Sequence, residues 1–314
     1  MKRLEEMLRA ARELSWSRFG KEIHFHLPGM FCCDGSTGRY PAISITGTAC
    51  VLQCGHCRGK LLASMLQAPQ PELLVRRCLD VESAGGIGVL ISGGCDKNGC
   101  LPWAGFACAI AEVKRRTRLK VSVHSGFVDG PTARALRDAG VDQVLVDLIG
   151  DDDTYSEVYR LESGVSRLLS TLDALNRASL PVVPHIVCGL RNGKIGGEQN
   201  AVEIASRLGV PLVVFVSLMR IPDTPMWRAT PPAPEVVVDL IARARLRMPD
   251  TALSLGCARE RGNDRLEVLA VDAGINRLAL PSEEARRRAE DYGLVAHYRK
   301  TCCSITDGAS CDPW

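Results

Sequence analysis

Residues 40–65 read YPAISITGTACVLQCGHCRGKLLASM, and the three cysteines in this stretch decide how the rest of the chain is read. Cys50, Cys54 and Cys57 are spaced C-x3-C-x2-C and follow directly on the aliphatic run Ala42 to Ile45. A short β-branched run bounded by turn residues predicts a strand, so the three thiols fall on the loop that leaves it. Three thiolates this close can hold three irons of a 4Fe-4S cube and leave the fourth iron without a protein ligand. A zinc knuckle is the alternative. Zinc takes four closed ligands, so it would need His56 or a distant group to complete the set.

Outward from this loop the same kind of run recurs: Gly88 to Ser92, Val121 to His124, Gln143 to Asp147, Val182 to Val187, Leu212 to Ser217, Ala252 to Leu255 and Asn276 to Leu280. Between the runs lie segments with helical spacing and Gly or Pro at their ends, such as PELLVRRCLDVESAG and EVVVDLIARARLRMP. Eight strands alternating with helices imply an α/β fold with a parallel sheet and right-handed crossovers, enough to close a (β/α)8 TIM-type barrel. No linker divides the chain. The expected organisation is an N-terminal extension over 1–40, a barrel over 41–294 and a cysteine-containing tail over 295–314 that folds across the mouth. The chemistry of such barrels sits where the strands end, because the βα loops converge there.

Composition narrows the classes. The 314 residues are 46% apolar and 24% charged, the balance of a folded globular chain. No apolar run reaches the roughly 20 residues of a spanning helix, and the start, MKRLEEMLRAARELSW, reads as an amphipathic helix rather than a secretory signal. These features predict a cytoplasmic protein that does not enter a membrane. The net charge of +3 is small and its cations are dispersed, which gives no electrostatic footprint for nucleic acid. Fourteen cysteines are many for a compartment in which disulfides are rare, so metal or thiol chemistry is expected for some. Cys78 and Cys108, within helical patterns, read as core residues.

A second concentration of thiols lies near the expected mouth: Cys95 after the second run, Cys257 after the seventh, and Cys302 and Cys303 in the tail. These four form a candidate ligand set for an auxiliary iron–sulfur cluster, with Cys32, Cys33, Cys100 and Cys311 in reserve.

The C-x3-C-x2-C loop after the first strand of a barrel resembles that of the radical SAM superfamily, whose members bind S-adenosylmethionine at the open iron. Together with LISGGCD, VDLIGDD, VPHIVCGL, LSLGCAR and the terminal CCS, it resembles the two-protein lipoyl synthase family, relatives of biotin synthase, from about residue 24 onward. The resemblance implies cofactor-binding roles. His56 would stack on the adenine, Gly93 and Gly94 would meet the SAM amino group, and the segment around Ile186 and Gly189 would contact the adenine. His124 and Asp147 end strands at the same pocket, where Asp147 reaches ribose hydroxyls or caps a helix; inward barrel filling is the other reading of His124, His185 and Cys188. Arg191, Arg259 and Arg261 would orient the SAM carboxylate or a carrier, or lie on the surface. The activity implied is sulfur insertion into an octanoyl chain on a lipoyl-carrier protein, shared with a paralogous partner enzyme and fed by a reducing electron donor. In the mechanism this resemblance implies, a cluster held by Cys50, Cys54 and Cys57 would supply the electron that cleaves SAM to methionine and a hydrogen-abstracting 5′-deoxyadenosyl radical, and an auxiliary cluster would supply the sulfur. A radical is needed because acid–base groups cannot open an unactivated C–H bond. The C-x4-C-x5-C motif and RSSYH-like ending of single-protein lipoyl synthases are absent. Biotin-synthase-like sulfur insertion, another radical SAM group transfer and a non-catalytic iron–sulfur or zinc protein are the alternatives.

Overall fold

The computed structural model describes residues 2–306 except positions 34 and 263. Its strands are β1 (Glu22–His26), β2 (Cys32–Cys33), β3 (Ser36–Thr37), β4 (Ala42–Ser44), β5 (Leu66–Gln67), β6 (Gly88–Ser92), β7 (Lys120–His124), β8 (Gln143–Leu148), β9 (Val182–Cys188), β10 (Leu212–Ser217), β11 (Ala252–Leu255), β12 (Arg277–Ala279) and β13 (Val295–Arg299). The short β2–β3 hairpin stands apart. The other eleven form one sheet in the order β13-β1-β12-β11-β10-β9-β8-β7-β6-β4-β5, and every pairing in it is parallel.

All eight runs read from the sequence are strands of this sheet, in the expected order. The α/β fold with a curled parallel TIM-type sheet is as expected, and two details differ. The eight do not close on themselves: β1 and β13, from the segments read as extension and tail, join at one end and β5 at the other, giving a curled sheet with two edges. The tail does not merely cap the mouth. Gln143, the first residue of β8, bonds Ser304 and Thr306, so the tail runs along the inner face to the N-terminal ends of the strands.

Why the sheet curls follows from its two faces. Successive strand side chains point to opposite sides. One set, including Ile23, Phe25, Val89, Ile91, Val121, Val144, Ile186, Phe215 and Leu255, packs with the helices in the main core. The inner set, Leu145, Val183, Leu212, Val214, Val216 and Ala279, closes on Cys303 of the tail. Helices outside therefore fill one face, and the tail occupies part of the lumen on the other.

The first helix, α1 (Lys2–Phe19), buries Leu8, Ala11 and Ser15, three to four residues apart. Ser15 donates to the Gly274 carbonyl and Arg12 to that of Asp272, which pins α1 below β12. No helix among the described residues is long and apolar enough to cross a membrane.

Candidate active site

The loop after β4 is wound tightly. Gln53, Arg58 and Gly59 have positive φ angles of 47°, 45° and 71°, and the amides of Cys57 and Arg58 both donate to the Cys54 carbonyl. The loop is seated on its neighbours by backbone bonds: Val51 donates to the Cys95 carbonyl at 2.8 Å and Gly55 to that of Val158 at 2.8 Å. Gly94 makes that seat possible, since a Cβ there would lie 2.0 Å from the Ala49 oxygen and 2.6 Å from the Cys50 Cα. Its amide donates to Thr46 Oγ1 at 2.6 Å. Gly93 lies beside Thr46 and lines the same pocket.

Cys50, Cys54 and Cys57 all line a pocket of about 240 Å3 at the mouth. Cys54, His56 and Cys57 are the one group of three among the described residues whose donor atoms all lie within 4.8 Å of one another. A hydrogen bond from Cys54 holds Cys57 down at about 4, against its burial, and His56 adds to the effect. The same bond drives Cys54 up, helped by burial. Cys95 borders this group, and burial with Cys50 alongside raises it to about 12.

Across the pocket stand His124 and Asp147, with His124 Nε2 3.2 Å from Asp147 Oδ1. Burial opposes both charges and is the largest single influence, but the partner's charge, the hydrogen bond between them and further neighbouring charges together exceed it, so His124 is raised and Asp147 lowered. His185 is 5.9 Å from His124, ring to ring; burial and the His124 charge push it down to about 4. Tyr155 and Tyr159, on the short helical turn after β8, complete the wall, and the His56 ring lies 5.5 Å from that of Tyr159.

The second thiol group lies elsewhere in the lumen. Cys303 is 2% exposed and packs on the inner set with Cys257 beside it. A hydrogen bond from Cys303 holds Cys302 down at about 6, aided by Ser304 and Arg277, and Cys303 is pushed up. Cys257, raised to about 11 mainly by burial, feels the Cys302 charge. The tail is held by Arg277 Nη1, which donates to the carbonyls of Cys303 at 3.2 Å and Ile305 at 2.5 Å. Along β1 and β13, alternation turns His24, His26, His297 and Arg299 to the same interior. His24 stacks on His297 at 4.8 Å and accepts from Arg299 Nε at 3.2 Å; burial first, then the neighbouring cations, lower His24 to about 4. Five of the chain's six histidines thus face the lumen, with Arg277 and Arg299 among them.

Set against the sequence reading, the structure joins Cys50, Cys54 and Cys57 with His56, Gly93, Gly94, His124 and Asp147 around one pocket. It divides the four proposed auxiliary ligands: Cys257, Cys302 and Cys303 gather, while Cys95 stays with the mouth group. Ile186 is fully buried in the helix-side core, because it alternates with inward-facing His185, and Gly189 spends its amide on Glu198 at 2.7 Å. Neither lines the mouth pocket. Cys188 is likewise in the helix-side core rather than filling the barrel. Arg191 pairs with Asp153 and Glu157. Arg259 is sealed against Glu267 at 2.6 Å, and Arg261 donates to the Cys257 carbonyl. Cys78 is buried as expected, Cys108 is exposed, and Cys311 lies outside the described residues. The reading missed Tyr155 and Tyr159, whose signal was two aromatics four apart in YSEVY, and the lumen histidines of β1, whose signal was the alternation in EIHFH.

Comparison with known proteins bears on this geometry. Residues 44–194 match the Radical SAM superfamily, and residues 215–312 match the Biotin and Thiamin Synthesis associated domain. The first match contains the mouth cysteines, the second the lumen cysteines. The chain is 30% identical over 171 residues to a biotin synthase of Leptothrix cholodnii, covering 53% of this chain and 49% of that protein. It is 28% identical over 173 residues to one from Halorhodospira halophila, covering 55% and 53%. The chain thus spans about half the length of the curated relatives it matches. The crystal structure of a methylornithine synthase superposes with a TM-score of 0.65 at 18% identity over 95% of this chain and 90% of that one, which supports the fold.

Proposed function

From a chain that carries a radical SAM domain followed by a biotin- and thiamin-synthesis-associated domain, we propose a sulfur-insertion enzyme acting at an unactivated C–H bond in the manner of a biotin synthase. One observation carries this reading: two separate thiol groups share one lumen, with the His124–Asp147 pair and His185 between them. A sulfur source held at the second group would account for its place in the same lumen as the first.

The donor sets suit the groups they would hold. Cys50, Cys54 and Cys57 offer three thiolates at an accessible mouth, which fits a cube with one open iron. Arg277 lowers Cys302 and Arg261 lowers Cys257 by their charges, and cations beside the thiols favour an anionic cluster. Bound there, the first cluster with SAM would supply a carbon-centred radical and the second the sulfur. The chain's own residues do the rest. Tyr155, Tyr159 and Phe127 line the pocket with apolar surface that keeps water from a reactive carbon. Asp147, held ionised by His124, presents an acceptor to hydroxyl groups in that pocket.

The substrate is either a small free precursor or an octanoyl chain on a carrier protein, worked on with a paralogous partner. The curated relatives favour the first; the terminal CCS and the LSLGCAR segment favour the second. The experiment is an anaerobic assay with SAM and dithionite, offering the unsulfurated precursor of biotin and an octanoyl-lysine peptide in parallel, the peptide also with the partner present. Sulfur incorporated into either identifies the substrate class. 5′-Deoxyadenosine formed with no sulfur in either product overturns sulfur insertion.

A further inference from the structure

A cluster with four protein ligands at the lumen thiols would need one ligand more, and among the described residues no cysteine supplies it. Cys95 belongs to the mouth, Cys78 and Cys188 to the helix-side core, Cys100 to the loop at Asn98 and Cys108 to an exposed helix face. Cys32 and Cys33 sit in the β2–β3 hairpin. Histidine is the other common nitrogen or sulfur donor to iron–sulfur clusters.

We propose that His26 is the fourth ligand of the auxiliary cluster, completing a Cys257, Cys302, Cys303 and His26 set. The inference rests on the auxiliary cluster proposed above. His26 is 2% exposed. It stands in register with Ala279, which packs in the same inner cluster as Cys303. Its Nδ1 lies 3.0 Å from Thr301 Oγ1, and Thr301 immediately precedes Cys302. Its Nε2 is sealed from solvent and has no hydrogen-bond partner. A buried polar nitrogen left unpaired costs stability, and a metal ion is the partner that removes the cost. Histidine ligands characteristically bond the second ring nitrogen to an oxygen that fixes the ring, the part Thr301 plays here.

The other lumen histidines are placed differently. His124 gives Nε2 to Asp147, His24 receives Arg299, and His297 Nε2, although also without a hydrogen bond, faces the Glu22 carboxylate at 3.3 Å at the other end of β1. His185 holds the Val183 carbonyl through Nδ1 and stands beside the mouth pocket rather than the tail.

The test uses the full chain with both Cys54→Ala and Cys57→Ala, so that only the lumen cluster can form, reconstituted anaerobically and reduced. Pulsed electron paramagnetic resonance should show one strongly coupled nitrogen, and 15N-histidine labelling should convert its signal. In the same background His26→Cys should keep the iron and lose the coupling, while His24→Gln keeps both; circular dichroism checks folding of each. A cluster with no histidine coupling overturns the ligand and leaves the auxiliary cluster standing. An iron-free Cys54→Ala/Cys57→Ala protein overturns both readings. Where His26→Cys fails to fold, the labelled sample still shows whether a histidine is the ligand, and His26→Gln, which should lose the coupling while His24→Gln and His297→Gln keep it, assigns it to His26.

Discussion

The mouth group and the lumen group are built alike and assembled differently. Each contains a hydrogen-bonded cysteine pair in which one thiol is held low and the other driven up: Cys57 and Cys54 at the mouth, Cys302 and Cys303 in the lumen. At the mouth eight consecutive residues bring the three thiols together. In the lumen they come from β11's end and from a tail more than forty residues later, placed by the sheet, by Arg277 and by Gln143. A site built from one loop survives damage to the rest of the fold; a site built from distant segments depends on the packing that brings them together. The difference can be broken at either end.

The largest effect is expected at the mouth. Cys54→Ala removes a proposed direct ligand, so 5′-deoxyadenosine formation from SAM should fall by more than the ~100-fold that losing an outer-shell partner costs, with iron at the lumen retained. Cys303→Ser should do the opposite: 5′-deoxyadenosine persists while lumen iron and sulfurated product are lost. If both variants lose both iron pools in folded protein, the two groups are one site and the comparison fails.

Next comes the support under Cys257. Arg259 and Glu267 are 1% and 6% exposed, and Arg259 also donates to the carbonyls of Gly256 and Ala279, tying the end of β11 to β12. Glu267→Ala leaves an unpaired buried cation and should cost about 3–5 kcal/mol in chemical denaturation. The variant with both Arg259→Met and Glu267→Leu should recover much of it, because no charge remains uncompensated. The mouth counterpart is Gly94→Ala, whose Cβ has no room beside Ala49 and Cys50; overpacking of this kind costs about 1–3 kcal/mol. It should weaken mouth iron in reconstitution and leave lumen iron unchanged.

The sequence made the first region readable and concealed the second for a physical reason. C-x3-C-x2-C is a local geometry, and the eight aliphatic runs carry enough pattern to order the strands around it. What composition and spacing do not encode is where a tail goes. Alternation in EIHFH and VAHYR marks strands, but both segments lie outside the repeating βα units and read as extension and tail. β13 pairs with β1, the tail beyond it enters the lumen beside Cys257, and Cys95, at the end of β6, stays with Cys50 at the mouth. Ile186 shows the same limit at one residue: its neighbour His185 faces the lumen, so the period of two turns Ile186 into the helix layer.

The smallest effect tests what lies between the two groups. His124 is drawn down by burial, up by the charge of Asp147 and its hydrogen bond, and up more weakly by the charge of Cys302. Asp147→Asn removes the larger support, so the His124 imidazole, followed by NMR, should titrate below its ordinary 6.5 instead of above it; Cys302→Ser should lower it by less. The stability linkage has two limits. Asp147, lowered from 3.8, contributes stability that is lost as pH falls through its depressed value. His124, raised from 6.5, contributes stability that is lost as pH rises through its elevated value. The stability gap between wild type and Asp147→Asn should therefore be largest between the ordinary values of 3.8 and 6.5, and be lost progressively as pH falls below 3.8 towards the depressed value of Asp147 or rises above 6.5 towards the elevated value of His124. A gap that stays flat up to about pH 9 would mean that His124 carries no charge beside Asp147. A Cys302→Ser shift as large as that of Asp147→Asn would put the lumen thiolate, rather than the carboxylate, in control of the ring that joins the two groups.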